Sequence, residues 1–338
     1  MACFEDCAEM IEWQYDAGRD PWSGNPGDSE WVSYDDITNE MIEEAFQDKK
    51  DMISINAYYI KCTANQIIQV NKADKSRQRP VRRRQIGVDT PPSKRQTRFS
   101  EVEKPAAKSI SNSSVCMSPF VNEWIRKNPN YKFREDTIEK LAVGLLREGE
   151  LLGMFDHANF LANRLRKNKG ASHDEIAKYC VRLYTKESWL YKHVNRVLRE
   201  GDMSKVDSLG PFCCFVRSYL YSPQNKRLGE IVVYRVMELS AEDIEMYKKS
   251  IGEVKSWLAF SSTSRNKKAI KSFKGNTLFV IEFEGDLSQR YPGRDISDLS
   301  KYPAEEEVLL YPGADFRVEN VEENVGSENR TVIHLSLT

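Results

Sequence analysis

The sequence lacks several features that mark common classes of protein. No apolar run approaches the roughly 20 residues needed to cross a bilayer, and residues 1–6 are acidic where a signal peptide would be apolar. The 4 histidines do not cluster with the 7 cysteines, and no pair of Cys-x-x-Cys units occurs. We therefore expect reduced thiols, no metal, no membrane partner and an intracellular protein, cytoplasmic or nuclear.

Two further absences reduce the range of functions that the sequence allows. The formal net charge of -1 gives no global attraction to nucleic acid, so we expect no nucleic-acid partner. No Gly-x-Gly-x-x-Gly turn is present, so the chain does not show the doubly wound way of holding a dinucleotide. Basic residues are concentrated in residues 72–98, after an acidic segment, which indicates an anion-binding edge or a basic tail.

Three consecutive glutamates, Glu305, Glu306 and Glu307, run directly into an apolar segment near the C-terminus. If they belong to that strand, alternation places Glu305 and Glu307 on one face. Placing two carboxylates close together on one face costs free energy, because like charges resist ionising side by side. The pattern indicates a functional site, although a solvated strand end has the same sequence.

Two upstream segments support the functional interpretation. Residues 231–237 read as a buried strand with Arg235 inside it, and a buried Arg needs an anion, from a ligand or from a structural salt bridge. Residues 257–264 read as an apolar strand that ends in the hydroxyls of Ser262, Thr263 and Ser264, a cluster also typical of turns and caps.

In this order the segments resemble the Arg-Ser-Glu class of mono-ADP-ribosyltransferases, of the arginine-specific type. The resemblance covers roughly residues 118–338, and the Glu-Val-Leu run makes Glu307 the catalytic position. Val236 departs from the pattern, because many relatives carry Gly there. The resemblance implies transfer of ADP-ribose from NAD, a consumed substrate, to arginine side chains of a protein acceptor, with release of nicotinamide.

The resemblance also implies roles for single residues. NAD would be bound by Arg235, Ser262, Thr263, Ser264 and Glu307, with Ser262 orienting Glu307. Glu305 would face the acceptor arginine, and Tyr302 would contact the acceptor from a mobile loop over residues 297–304. Two alternatives stay open: an NAD glycohydrolase, in which water replaces the acceptor, and an inactive reader of ADP-ribose.

The N-terminal block contains short strands, three tryptophans and a helix predicted over residues 39–47, with Thr38 or Asn39 as its N-cap. The block resembles a WWE domain, which implies binding of ADP-ribose or poly-ADP-ribose. The residues that carry the resemblance are Trp13, Trp31, Ile42, Glu43, Gln69 and the closing segment 79–83. The ligand-facing positions would be Tyr15, Trp31, Tyr59, Gln69 and Arg79. Alternatively, these aromatic residues form only a core, and Trp13 is expected to be core in either case.

The predicted fold class is α+β, because a helical region precedes a strand-rich one. We expect a small half-wound sheet with one helix over residues 8–84, a flexible basic linker over 85–117 and a transferase domain over 118–338. Within the last, residues 118–228 should be helical and residues 229–338 should form a mixed, mostly antiparallel sheet. Apolar stripes at helical spacing include one with Ile176 and Leu183 and one with Leu190 and Val194, and residues 278–283 read as a strand. His193 lies on the second stripe and is expected to pack there.

Overall fold

The computed structural model describes most of the chain. The described residues are 10–22, 28–63, 66–86, 110–111, 118–131, 136–222, 231–270, 273–283, 292–326 and 329–337. The linker predicted over residues 85–117 therefore lies outside the described residues, except for 85–86 and 110–111. The chain divides into two compact units, one formed by residues 1–94 with 138–169 and the other by residues 95–137 with 170–338.

The sheet of the first unit has six antiparallel strands and one helix against it. The elements are β1 (Met10–Asp16), β2 (Trp31–Ser33), α1 (Asp36–Gln47), β3 (Met52–Ile55), β4 (Tyr58–Cys62), β5 (Ile67–Asn71) and β6 (Gln78–Ile86). The strand order is β2-β1-β6-β5-β4-β3. Trp13 is fully buried and packs with Ile42, Ile55, Ile60 and Val81, which confirms its expected place in the core.

Helix α1 begins earlier than the sequence predicts. Its N-cap is Asp35, whose Oδ1 accepts from the main-chain N–H of Ile37 at 3.1 Å and of Thr38 at 3.0 Å, so the predicted cap at Thr38 or Asn39 was wrong. Asn39 instead ties the helix to β1: its Oδ1 accepts from Trp13 N at 2.6 Å, and its Nδ2 donates to Ile11 O at 2.8 Å.

A pair of helices, α3 (Asp136–Leu151) and α4 (Phe155–Lys167), belongs largely to the same unit. One oxygen of Asp156, Oδ2, accepts from the Ser54 hydroxyl at 2.7 Å, from the Asn56 main-chain N–H at 2.7 Å and from Lys72 Nζ at 3.0 Å. Arg164 adds ion pairs of 3.1 Å to glutamates of α1. These charge-assisted contacts fasten α4 to the sheet and to α1.

The helices of the second unit confirm the apolar stripes read from the sequence. They are α2 (Pro119–Lys127), α5 (His173–Thr185), α6 (Trp189–Glu200) and α7 (Val206–Leu220). Ile176 and Leu183 of α5 and Leu190 and Val194 of α6 are all buried. His193 of α6 is also buried, and its ring lies 6.4 Å from the ring of Trp189. The described cysteines, Cys62, Cys180, Cys213 and Cys214, are free thiols. No described helix is long and apolar enough to cross a membrane.

A nine-stranded mixed sheet forms the rest of the second unit. Its elements are β7 (Ile110–Ser111), β8 (Val232–Met237), α8 (Ala241–Lys249), β9 (Val254–Trp257), β10 (Ser261–Ser264), α9 (Lys267–Ile270), β11 (Thr277–Phe283), β12 (Gly293–Asp295), β13 (Glu307–Leu310), β14 (Ala314–Val325) and β15 (Arg330–Leu337). The order is β12-β13-β10-β8-β11-β15-β14-β9-β7, and only the β11–β15 pair is parallel in this described sheet. The predicted α+β class is confirmed.

The segment 257–264 is not the single strand that the sequence predicts. It is divided between β9, which pairs with β14, and β10, which pairs with β13 and β8. The reason is the apolar stretch between them. Phe260 is 1% exposed, and its ring lies 5.3 Å from the ring of Tyr184 in α5, so this part of the chain leaves the sheet and packs against a helix.

Candidate active site and ligand cavity

Three adjacent strands carry the predicted Arg, Ser and Glu residues. The sheet places β10 between β8 and β13, and these strands contribute Arg235, Ser262 and Glu307 respectively. Arg235 is 5% exposed, and its Nη1 donates to the main-chain carbonyl of Ser262 at 2.9 Å. Residues separated by 72 positions are thus brought to one region of the sheet.

Glu307 is the first residue of β13 and is fully buried. The antiparallel register places it opposite Ser264, while Ser262 lies opposite Leu309. Ser262 and Glu307 are therefore diagonal neighbours on one face of the strand pair, a geometry in which Cα atoms lie roughly 7–8 Å apart. Thr263 is on the other face, where its hydroxyl donates to Val308 O at 2.7 Å. The arrangement holds a carboxylate and a hydroxyl at one strand end.

Glu305 and Glu306 do not belong to this strand, so the alternation expected over the three glutamates was wrong. Glu305 ends a single 3-10 turn, Pro303–Glu305, and Glu306 has a left-handed backbone with φ of 47°. Ser264 Oγ donates to the carbonyl of Glu305, and Asn266 Nδ2 donates to the carbonyl of Ala304 at 3.2 Å. The position of Glu305 is set by these contacts to the end of β10.

Arg265 contacts the other side of this turn. The main-chain N–H of Arg265 donates to Glu306 O at 3.1 Å, and its side chain forms ion pairs with Asp295 at 2.7 Å and with Glu306 at 3.9 Å. Tyr302 is only 8% exposed, and its N–H donates to Ser300 Oγ at 3.1 Å. Most of the Tyr302 ring therefore contacts the protein, which leaves little of it for the acceptor contact predicted from the sequence.

The first unit contains a separate open cavity of about 1030 Å³. Among the predicted ligand-facing residues, Tyr15, Gln69 and Arg79 line it. The Tyr34 hydroxyl donates to Gln69 Oε1 at 2.7 Å, so the amide nitrogen is the donor that Gln69 can offer to a ligand. The rings of Tyr15 and Tyr34 lie 5.1 Å apart and form an aromatic corner of the wall. Burial raises the pKa of Tyr34, which stays a neutral donor.

The cavity is also lined by the positively charged side chains of Arg19, Arg77 and Arg79. Arg79 Nη1 donates to the main-chain carbonyls of Asp16 at 2.7 Å and Gly18 at 3.3 Å, which fixes the plane of its guanidinium. A fixed guanidinium can bind a phosphate through two parallel hydrogen bonds. The lining thus combines aromatic faces, an amide and cations, the chemistry that a nucleotide requires.

Comparison with known proteins identifies both parts of the chain. Residues 158–338, more than half of the 338-residue chain, match the family model of the ADP-ribosyltransferase exoenzyme domain. The chain belongs to the ADP-ribosyltransferase exoenzyme family. Residues 11–83 match the WWE domain model, so this family member carries a WWE domain before its transferase domain. Both resemblances inferred from the sequence are confirmed.

Several known proteins are similar to parts of this transferase. A Mycobacterium avium (strain 104) protein provisionally named NAD(+)–arginine ADP-ribosyltransferase Mav is 32% identical over 159 residues, which are 43% of this chain and 16% of that protein. The ADP-ribosyltransferase HopU1 of Pseudomonas syringae pv. tomato DC3000 has 26% identity over 44% of this chain and 65% of its own, with a TM-score of 0.37. The type III effector XopAI of Xanthomonas axonopodis pv. citri has 18% identity over 65% of this chain and 96% of its own, with a TM-score of 0.48.

The WWE domain does not bring all its predicted ligand residues together. Tyr59 lies between Tyr58 and Ile60 in β4, and both of these neighbours line the cavity, so strand alternation directs Tyr59 to the opposite face. Trp31 pairs with Asp16, the neighbour of Tyr15, and is likewise outside the lining. Instead, the Arg82 guanidinium lies 4.0 Å from the Trp31 ring centroid.

Several lining residues of the WWE domain were missed from the sequence. Tyr34 and Tyr58 are among them. Alternation places them on the faces opposite to their neighbours Trp31 and Tyr59, but which face lines the cavity depends on the pairing with β1 and β5. Gly153, Met154 and His157 come from the junction between α3 and α4, more than eighty positions after the strand that carries Gln69. No local pattern connects those residues with the cavity.

Proposed function

We propose that this protein transfers ADP-ribose from NAD to arginine side chains of a protein acceptor and that its WWE domain binds ADP-ribose or poly-ADP-ribose. The observation that carries the proposal is the placement of Arg235, Ser262 and Glu307 on three adjacent strands, with Arg235 Nη1 bonded to the Ser262 carbonyl at 2.9 Å. The transferase assignment of the family model and the name of the Mav protein support the reaction class.

The reaction breaks the glycosidic C–N bond of NAD. The bonding electrons leave with nicotinamide, and positive charge develops on the ribose in an oxocarbenium-like transition state. A carboxylate held beside that ribose stabilises the charge, and burial strengthens the stabilisation because little water screens it. Glu307, buried at the start of β13, has this role, with Ser262 as its orienting neighbour and Arg235 as the residue that positions NAD.

The acceptor step forms a new bond between the ribose carbon and a guanidinium nitrogen, which loses a proton. A charged guanidinium is a weak nucleophile, so a carboxylate that binds it and accepts that proton favours the reaction. Glu305 is assigned this role because it lies in the turn directly before Glu307 and is half-buried rather than enclosed. We assign the catalytic segment to the predicted domain, residues 118–338, of which residues 138–169 pack with the first unit. An intracellular location stays a prediction.

The WWE domain supplies the second binding activity in this proposal. Its cavity offers tyrosine faces for a base or ribose, the Gln69 amide for hydrogen bonding, and Arg79 for phosphate. A reader linked to a transferase raises the concentration of enzyme near targets that are already modified. The chain spans 16% of the length of the Mav protein.

Incubation of the full chain with NAD labelled in its adenylate part tests the reaction. Arginine-rich and lysine-rich polypeptides of equal length serve as matched acceptors. Label on the arginine polymer alone is the expected result. Free labelled ADP-ribose without transfer would identify an NAD glycohydrolase, and unchanged NAD would show that the chain has only a binding function.

A further inference from the structure

The WWE cavity is completed by residues outside the WWE domain. The junction of α3 and α4 contributes three residues to the cavity lining, Gly153, Met154 and His157. The other lining residues include members of β1, β4, β5 and β6. The WWE family match ends at residue 83, so these helical residues are an addition that this chain makes to the domain. Asp156 fastens the junction to the sheet through Ser54, Asn56 and Lys72.

The hydrogen bonds around His157 define its tautomer. The Thr38 hydroxyl donates its single hydrogen to Asp35 Oδ2 at 2.6 Å and lies 2.8 Å from His157 Nε2. Because that hydrogen is already used, the hydroxyl oxygen must accept from His157, so Nε2 carries the proton. The other ring nitrogen, Nδ1, is then a hydrogen-bond acceptor whenever the ring is neutral.

The acceptor Nδ1 is buried and has no hydrogen-bond partner among the residues that the structure describes. His157 is 3% exposed. Burial lowers its pKa, and this effect exceeds the opposite effect of the nearby Asp35 and Asp156 carboxylates, so the ring is neutral at physiological pH. A buried acceptor without a donor costs free energy. A ligand that supplies a donor at this wall recovers that cost.

Asn56 presents a second such acceptor on the same wall. Its Oδ1 is buried and has no hydrogen-bond partner in the described part of the chain, while its Nδ2 donates to Met154 Sδ at 3.3 Å. Its main-chain N–H is bonded to Asp156, the residue before His157, so Asn56 and His157 are neighbours across the junction. Both residues line the cavity, and two acceptors in one lining can bind a group that carries two donors.

We propose that α3 and α4 are a functional part of the WWE cavity and that His157 Nδ1, with Asn56 Oδ1, accepts hydrogen bonds from the adenine amino group of an ADP-ribose ligand. The inference rests on the proposed reader function, and it states which residues of the cavity recognise the adenine base. Adenine carries two N–H donors on its amino group, whereas hypoxanthine carries an oxygen acceptor there. The site therefore selects ADP-ribose over inosine diphosphate ribose.

Calorimetry on the full chain tests this with two variants of one residue. The His157→Gln side chain can still donate to Thr38 but has no acceptor at the Nδ1 position, whereas His157→Asn places an amide oxygen near that position and loses the Thr38 contact. We expect His157→Gln to weaken ADP-ribose binding by roughly tenfold and His157→Asn to retain most of it. Inosine diphosphate ribose should bind the wild-type chain more weakly and show no further loss in His157→Gln.

The outcomes separate this inference from the reader function. ADP-ribose binding that is equal in the wild-type chain and His157→Gln overturns the inference and leaves the reader function standing. An equal loss for both ligands in His157→Gln overturns the assignment of the amino group. Absence of binding by the wild-type chain to ADP-ribose and to poly-ADP-ribose fragments overturns both. If thermal unfolding shows that His157→Gln is misfolded, Asn56→Gly removes the neighbouring acceptor without strain, since Asn56 has φ of 46°.

Discussion

The hydroxyl of Ser264 donates to the main-chain carbonyl of Glu305. Ser264 is also the residue that lies opposite Glu307 in the β10–β13 register. One residue thus connects the two glutamates that the proposed reaction uses. Because Glu305 lies in a turn and Glu307 in a strand, their relative position depends on this connection and on the contacts of Asn266 and Arg265 with the turn, and not on strand alternation.

Replacement of Ser264 by Ala should separate the two half-reactions. The strand pairing opposite Glu307 is made by the main chain and survives, whereas the turn that carries Glu305 loses its hydroxyl anchor. We expect arginine modification to fall by about tenfold, with a much smaller change in NAD hydrolysis. Ser261→Ala, at the other end of β10, is the matched control. Equal losses of both activities would place Ser264 in the NAD site instead.

Glu307→Gln should abolish both ADP-ribose transfer and NAD hydrolysis while the fold stays intact. The substitution keeps the size of the side chain and removes the charge that stabilises the oxocarbenium-like transition state, so we expect a loss of about a hundredfold or more in rate. The control is Glu306→Gln, because the Glu306 side chain is half-exposed beside Arg265 and should be dispensable for NAD cleavage. Near wild-type turnover by a folded Glu307→Gln protein contradicts the catalytic assignment.

Glu305→Gln should lose arginine modification and retain NAD hydrolysis. Its proposed partner is the acceptor guanidinium, and water needs no such partner. The ratio of labelled acceptor to free labelled ADP-ribose, measured in one reaction, reports the two outcomes together. If the ratio equals that of the wild-type chain while both rates fall, Glu305 acts on NAD.

Arg79→Ala should weaken binding of ADP-ribose-containing ligands to the full chain by about 1.5–3 kcal/mol, the range for a hydrogen bond to a charged group. Arg79→Lys keeps the charge but loses the planar fork that Asp16 and Gly18 orient, and it should rescue only part of the affinity. Arg84→Ala, an exposed change on the same strand, is the control. Unchanged calorimetric binding in Arg79→Ala would assign the phosphate contact to another cavity arginine.

The stability of the WWE domain should depend on pH through Glu43. Arg83 donates two hydrogen bonds to this carboxylate and holds its pKa at about 2, although burial acts in the opposite direction, and Trp13 Nε1 donates at 2.8 Å. A lowered folded-state pKa stabilises the fold above the unfolded pKa of about 4.5 and loses that effect as the pH falls toward 2. We estimate about 2 kcal/mol after allowing for partial exposure.

The measurement is a comparison of thermal unfolding at pH 6.5 and pH 3 for the wild-type chain and Glu43→Gln. The variant should be less stable than the wild type at the higher pH, and the difference should shrink at the lower one. Glu30→Gln, at an exposed position of the same domain, controls for the general effect of removing a carboxylate. A difference that does not change with pH would show that Glu43 acts through packing alone.

The linear pattern was enough to predict most of the strands and helices and the order in which the site residues occur. The apolar run around Arg235 forms β8, residues 278–283 lie in β11, and the stripes containing Ile176 and Leu190 form buried helices. These features depend on local periodicity and on the burial of apolar side chains, which a linear pattern contains. The order of Arg, Ser and Glu along the chain was likewise sufficient to indicate the family.

The way in which those residues meet depends on contacts between distant segments. Glu305 looked like part of a strand, but the left-handed backbone at Glu306 and the anchor from Ser264 place it in a turn. Tyr59 and Trp31 are residue types that often contact ligands, yet strand pairing directs them away from the cavity. His157 joins the cavity through the hydrogen bonds of its neighbour Asp156 to residues about one hundred positions earlier. Contacts between distant segments have no local periodicity, so only the folded chain shows which side chains share a site.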